Sequence, residues 1–581
     1  VVWLVLDADL TRLVSGGVRA AVAGRRWLRR LAWSAVAGLL GVGLTAWWLL
    51  PFYAEQAYTT NMGYTKVFGY PHLLFPGSAR WVLAADLVGL VAMVVRKSRV
   101  ALFLVVMGGV SAMAVIVDPA SKLYNVRFLP LWFLCLYLLA GYALAEVVGL
   151  VARWWRRHQL EAWVRSVRAR LGTVNRESWA PGLRVTRFRR PVPVAVAAGA
   201  VVGPLVALAA VCLAVVPPLA VKATTLSKIG ITVGANQPSA WAAWNYSGYE
   251  EKPDYPEFHS VMQMMASVGA AHGCGRAMWE YDPSLNRFGT TESLMLLPYF
   301  TNGCIDSMEG LLFESASSTP FHFINQNELS PDPSNAVVGL PYGGLDVALG
   351  IRHLQQMGVQ YLLTSSTTVQ QAVAADPSAR LVGSTGPWTT KYNADSLDTT
   401  WKVYRIADSS LVVPLAAQPV VWKGVGPGQS SWLTPAVDWY DHPDRWGVVP
   451  AADGPATWAR VPVGSTAPTT VHEPTTTVSA VHQSDQGISF HVDRVGTPVE
   501  VRISYFPNWH TTGAQGPWRV APNLMVVVPT SHDVTLTYGS VPADSIGQLV
   551  TVGSLVAVII LGVLGWRAGR SGRARRAAGA T

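Results

Sequence analysis

Long apolar runs alternate with short arginine-rich ones over residues 1–221, and the same alternation returns at the end of the chain. A helix needs about 20 mostly apolar residues to cross ~30 Å of hydrocarbon. By that measure the sequence predicts six spans, at about 31–52, 81–95, 100–117, 128–151, 192–221 and 549–566. The second and third are short and joined by "RKSR", which reads as a tight helical hairpin. Basic segments flank the spans: "RRWLRR" before the first, "RKSR" after the second, a loop at 153–190 after the fourth, and a tail at 567–581. If the spans alternate, all of these fall on one side, and the positive-inside rule makes that side the cytoplasm. The expectation is a multi-pass protein of the cytoplasmic (plasma) membrane with a large extracytoplasmic region.

Between the fifth and last spans the pattern changes. Residues 222–408 mix periods: "PEFHSVMQMMASVGAAHG" has helical spacing, and "GLDVALGIRHLQQMGVQYLLTSS" reads as helix, glycine stop at Gly358, then strand. "TWKVYRI" reads as a strand, and this segment is expected to be an α/β domain. Residues 409–547 show short alternating strands such as "VEVRISYFPNW", "LMVVVPT" and "HDVTLTYGSV", set off by Gly, Pro, Asn and Asp. They predict a β-sandwich-like domain ahead of the final transmembrane helix. The fold class expected is thus an α-helical polytopic membrane domain, 1–221, plus two extracytoplasmic domains, closed by a helix at 549–566.

Composition sharpens this picture. Half of the 581 residues are hydrophobic, 14% are charged and the mean hydropathy is +0.27. Soluble domains carry about 25% charge. The net charge of +10 sits mostly in the topogenic segments, which argues against a nucleic-acid partner. The chain starts at Val1 inside an apolar run, "VVWLVL", without a charged n-region or cleavage site. That start reads as part of a longer protein.

Of the four cysteines, Cys135 and Cys212 fall in predicted spans and read as packing residues. Cys274 and Cys304 lie outside, where disulfides persist; they are either bridged or two unpaired thiols. No cysteine spacing fits zinc. Arg127 sits at the outer end of the fourth span beside Lys122, Tyr124 and Asn125. It reads either as an interfacial anchor or as a clamp on a lipid phosphate, which the guanidinium fork suits. The outward loop 51–77 offers Glu55, Lys66 and His72 among tyrosines, and Asp86 lies near one end of the second span. Glu280, Asp282, Glu292, Asp306, Glu309 and Glu314 form an acid-rich stretch that could supply general acid–base pairs or simply caps and turns. "DWYDHPDRW" could ligate a metal through Asp441 and His442 only weakly, for want of a second histidine.

Multiple spans, "NVRFLPLWFL" at an outward helix start, "GVQYLLTSS", and "ISYFPNWHTTGAQGPWRVAPNLMVVVP" before a last span together resemble the YfhO-like bacterial membrane proteins. They also resemble actinobacterial membrane proteins labelled as related to 6-pyruvoyl-tetrahydropterin synthase. That label implies a zinc site of clustered histidines; the sequence has no such cluster, and that activity is not carried over. The YfhO resemblance covers nearly the whole chain as a C-terminal portion. It implies a GT-C-type glycosyltransferase that moves a sugar from a polyprenyl-phosphate donor to a cell-envelope glycan, outside the membrane. It further implies a carboxylate that activates the acceptor or organises a divalent metal, as in some enzymes of that type. Glu55 is the candidate here, unless that residue lies ahead of Val1. Arg127, Lys122 and Tyr124 are the candidates for the donor phosphate. The other class of reading is a non-catalytic, membrane-anchored protein that binds or scaffolds envelope polysaccharide.

Overall fold

The structure, a computed structural model, describes residues 18–118, 124–171, 244–310, 312–392, 395–467 and 476–578. The predicted span 192–221, Cys212, Lys122 and most of the basic loop lie outside the described residues. The chain divides into two compact units, one holding 1–30 and 65–248, the other 31–64 and 249–581.

The described helices, in order, include α1 (Val18–Leu44), α2 (Ala46–Glu55), α3 (Arg80–Arg96), α4 (Arg99–Val117) and α5 (Leu129–Leu171). The last helix, Pro542–Ala578, is called α11 below, after α6 (Tyr255–His272), α7 (Thr319–Glu328), α8 (Val347–Gln356), α9 (Thr367–Ala375) and α10 (Thr434–Tyr440). Among the described residues, three helices are long and apolar enough to cross a membrane, through the stretches Arg99–Val117, Asn125–Trp155 and Pro542–Arg570. A bent pair, Leu28–Leu44 with Ala46–Tyr58, makes a fourth if counted as one span. This is the build of a membrane protein with a β-rich region.

The helices refine the sequence reading in three places. The first expected span is not one straight helix: it bends by 69° at Thr45. The Thr45 hydroxyl donates back to Gly41 O (3.2 Å) and Val42 O (3.0 Å), taking up carbonyls that a continuing helix would use. α3 covers the second expected span with 17 residues, short as the sequence implies. The fourth expected span lies within a longer helix, because α5 continues past 151 to Leu171.

In the first unit α5 packs along both α3 and α4. Close approach is set by glycine: a Cβ on Gly89 would come within 3.0 Å of Leu139 O, and one on Gly108 within 3.2 Å of Cys135 Cβ. The hairpin between α3 and α4 turns in two residues. Lys97 takes a left-handed conformation (φ 51°) to end α3, and the Ser98 hydroxyl accepts from Ala101 N (3.3 Å) to start α4.

In the second unit α2 lies against α11. The seam is made of small residues. A Cβ on Gly547 would sit 2.6 Å from Ala46 O, and one on Gly43 would sit 2.1 Å from Ser554 Oγ. Thr551 ties the pair, accepting from Trp47 N (2.9 Å) and donating to Gly43 O (3.2 Å).

Among its described residues this unit holds three sheets. The first has the order β2 (Ile305–Ser307), β1 (Gly275–Trp279), β3 (Tyr361–Thr364), β5 (Asp395–Ile406), β4 (Ala379–Tyr392). β2, β1 and β3 run parallel, while β5 and β4 are antiparallel additions. Period-two alternation divides its faces: Ala277 and Trp279 join the core under α6, and Met278 joins the core under α8 and α9. The second sheet orders β10 (Val478–Ser484), β11 (Gly487–Val492), β16 (Asp533–Tyr538) and β13 (Trp509–Thr512). The third orders β6 (Val412–Pro414), β12 (Val499–Val501), β15 (Leu524–Pro529), β14 (Ala514–Val520), β8 (Pro450–Ala451), β7 (Val420–Trp422) and β9 (Arg460–Val461). Phe490 and Leu536 of the second sheet pack on Val501 and Met525 of the third, a face-to-face core. One large core runs from Met278 and Leu362 through Trp422 to Val526, so burial is continuous across residue 408.

Candidate functional site

Sequence places Glu55 at the last residue of α2, and the fold surrounds that point with aromatic rings. The Tyr58 ring stands 5.8 Å from Tyr505 and 6.0 Å from Phe506, and Phe506 stands 6.3 Å from Tyr538. Glu55 is half-buried, and its charge reaches the phenols of Tyr58, Tyr505 and Tyr538. Asp544, in the first turn of α11, is close enough for the two carboxylates to repel. Asp544 is itself fixed by Asn508 Nδ2 (3.0 Å) and Val541 N (2.8 Å). Burial pushes the Tyr505 phenol up to about 12. Tyr538 also rises, through burial first and then the charges of Asp544 and Glu55.

Arg519 forms the inner wall of this cluster. Its guanidinium stacks over Trp432 (4.5 Å) and Tyr58 (5.6 Å), and it donates to Asn523 Oδ1 (2.7 Å) and Pro427 O (3.0 Å). Burial lowers its proton affinity to about 9. The space beside it is about 10 Å³, room for one water and not for a phosphate. Nothing in the helical periodicity singled out this arginine; its only sequence signal was its place in "GPWRVAPN".

A second polar feature lies between the first sheet and β10. It is a groove of about 960 Å³ whose wall carries Arg380, Arg405, Asp306, Asp408, His482 and Asp485. Gln483 Nε2 crosses it to Asp306 Oδ2 at 2.9 Å. β10 is an edge strand whose pairing shifts between Ser479 and His482, with Ala480 at φ 49°. Such a bulge re-aims the side chains that follow it. Cys274 and Cys304 line the same groove and are joined as a disulfide.

Of the acid-rich stretch, the fold brings two carboxyls together. Glu292 and Glu309 are near enough for the charge of one to act on the other. Burial first, then the Glu309 charge, raises Glu292 to about 8. His322 Nε2 stands 3.2 Å from Glu309 Oε2, near enough for an ion pair but off the hydrogen-bond direction. The other acids are engaged elsewhere. Glu280 accepts from Ser365 N (2.8 Å) and Ser366 N (3.0 Å) at the start of α9, Asp282 accepts from Ser284 N (2.7 Å), and Glu314 accepts from Tyr64 OH (2.7 Å).

The remaining sequence candidates lie in the first unit or in local turns. Arg127 is exposed on a 3₁₀ turn ahead of α5, and its backbone N–H donates to Tyr124 O at 2.8 Å. The buried residue of that turn is Asn125, which bonds Val67 N and O and Val115 O. Lys66 donates to Ile116 O at the end of α4. Asp86 is buried within α3. His442 and Asp441 do not converge with further ligands: His442 turns back on Asp438, which Arg445 also holds at 2.7 Å. Among the described residues no group of three or more His, Cys, Asp or Glu could hold a metal ion.

No family model matches the sequence, and no curated protein matches it. A solved structure of the mycobacterial arabinofuranosyltransferase AftD is similar at 13% identity and a TM-score of 0.29, over 88% of this chain and 44% of that one. The chain thus spans less than half the length of that protein. A likeness at that level decides neither fold nor activity.

Proposed function

We propose that this chain is the C-terminal part of a GT-C-like membrane glycosyltransferase that moves a sugar from a polyprenyl-phosphate donor to an envelope glycan on the extracytoplasmic side. The observation that carries this reading is the setting of Glu55. It is a half-buried carboxylate at the end of a bent apolar helix pair, facing tyrosines and a second carboxylate. Such a group can accept the proton of an acceptor hydroxyl, and aromatic rings beside it offer flat faces to sugar rings. Arg127 supplies a guanidinium at the start of an apolar helix, a depth suited to a lipid phosphate. Lys122 and Tyr124 belong to the same proposed phosphate site.

The test is transfer of labelled sugar from a polyprenyl-phosphate donor by membranes carrying the natural full-length protein. Glu55→Gln should abolish transfer while leaving protein level and glycan binding unchanged. Unimpaired transfer by this variant would remove Glu55 from the chemistry.

One observation favours a second reading. The groove beside Asp306 and Arg405 is mixed in charge and rich in hydroxyl and amide groups, as a neutral glycan requires, and it does not depend on Glu55. A membrane-anchored protein that binds or scaffolds envelope polysaccharide would need that groove alone.

A further inference from the structure

α3 and α5 leave between them, at their basic ends, a groove of about 790 Å³. Its walls are apolar, with Val91 from α3 and Leu150 and Trp154 from α5. Its rim carries Arg96, Arg153 and Arg157. Glu146 is the one carboxylate among the lining residues. It accepts from Arg96 Nε at 3.1 Å and lies 3.8 Å from Arg153 Nη2. One carboxylate cannot neutralise three guanidiniums, so the rim keeps an excess of two positive charges. Gly149 leaves the Arg153 guanidinium space to fold against the helix, with Nη1 3.4 Å from where a Cβ would stand.

From Val88 to Arg96 the apolar wall rises about 12 Å along α3, enough to lie against the first half of an acyl chain. Trp154 is more than half exposed, at the level where an indole sits between hydrocarbon and headgroups. An apolar wall topped by guanidiniums is complementary to a molecule with acyl chains below and a phosphate above.

We propose that this groove binds an anionic phospholipid, with the acyl chain along Val91 and Leu150 and the headgroup phosphate on Arg96, Arg153 and Arg157. Guanidiniums present paired N–H donors to phosphate oxygens. Glu146 acts as the local competitor: it holds Arg96 when the phosphate is absent and yields part of that contact when it arrives. The site is independent of the transfer chemistry proposed above.

The test is native mass spectrometry of the full chain released from nanodiscs of equal phosphatidylglycerol and phosphatidylcholine. At about 1 kcal/mol per basic residue near the headgroups, two excess charges give phosphatidylglycerol an advantage of about thirty-fold. Arg96→Gln/Arg153→Gln/Arg157→Gln should bring the two lipids to parity. Glu146→Gln, which frees the rim cations, should raise the preference above that of the unaltered chain and serves if the triple variant fails to fold. Millimolar inorganic phosphate should leave retained lipid unchanged. Equal retention of both lipids by the unaltered chain would overturn the proposal. So would a preference that Glu146→Gln lowers, or displacement of the lipid by free phosphate.

Discussion

Arg287 grips Glu257 with two N–H bonds, Nη2 to Oε1 at 2.7 Å and Nε to Oε2 at 3.2 Å, and both side chains are buried beneath the first sheet. Trp401 Nε1 adds a third donor to the same carboxylate at 2.8 Å, and Ser284 Oγ accepts from Arg287 Nη1 at 2.8 Å. Every charge in the group is answered. Removing one partner strands the other, so Arg287→Met should cost about 3–5 kcal/mol. The exposed pair Arg445–Asp438 offers the contrast, and Arg445→Ala should cost no more than about 1 kcal/mol. Denaturant unfolding followed by tryptophan fluorescence measures both.

The Glu292–Glu309 pair predicts a pH dependence of stability. The folded Glu292 holds its proton up to about 8 because of burial and the Glu309 charge. An unfolded glutamate releases it near 4.3. Between these values the folded state binds more protons than the unfolded one, so stability falls as pH rises. The contribution is complete below the lower value and lost through the upper one. The unfolding midpoint of the unaltered chain should therefore decline from pH 5 to 8 more steeply than that of Glu309→Gln. Parallel curves would show that the charge of Glu309 does not act on Glu292.

The seam between α2 and α11 has no room for side chains at its glycines. Gly547→Val would drive atoms into the Ala46 carbonyl, a rigid backbone group, and should destabilise by about 1–3 kcal/mol. Gly38→Ala, which meets nothing within 4 Å, should be neutral or slightly stabilising. Thermal unfolding in detergent separates the two.

The Cys274–Cys304 bond closes a loop with a sequence separation of 30. In the chain-entropy account, Cys274→Ser should lower stability by about 3.5 kcal/mol. Reductant should shift the thermal midpoint of the unaltered chain and leave that of Cys274→Ser unmoved.

If Arg127 holds donor phosphate, Arg127→Lys should weaken use of the polyprenyl-phosphate donor by raising its KM, because lysine lacks the two-pronged donor set. Kinetics equal to those of the unaltered protein would leave Arg127 as an interfacial anchor.

Local structure was legible where one physical signal dominates. In "GLDVALGIRHLQQMGVQYLLTSS" the periodic apolar positions, Gly358 at φ 63° and the following strand appear as the sequence implies. Hydropathy found the apolar stretches but not the bend at Thr45, because it counts side-chain polarity and is blind to a hydroxyl bonding back to carbonyls. Convergence was not legible at all. Glu292 and Glu309 lie on either side of β2, and only the fold brings the charge of one to bear on the other. Arg519 reaches Tyr58 only because α2 and β14 end near each other. Glu55 and Tyr58 could be named from one stretch of sequence, but Tyr505 and Tyr538 come from the far end of the chain.

The bond between Trp47 and Thr551 joins residues 504 positions apart. That number is also a waiting time. Ribosomes add about 5–20 residues per second, so α2 leaves the ribosome roughly 25–100 s before the helix it packs against exists. During that interval the face from Gly43 to Trp47 waits for α11. The seam therefore forms only after α11 is made. A substitution at Gly547 therefore acts on the step at which α11 meets a helix made long before it.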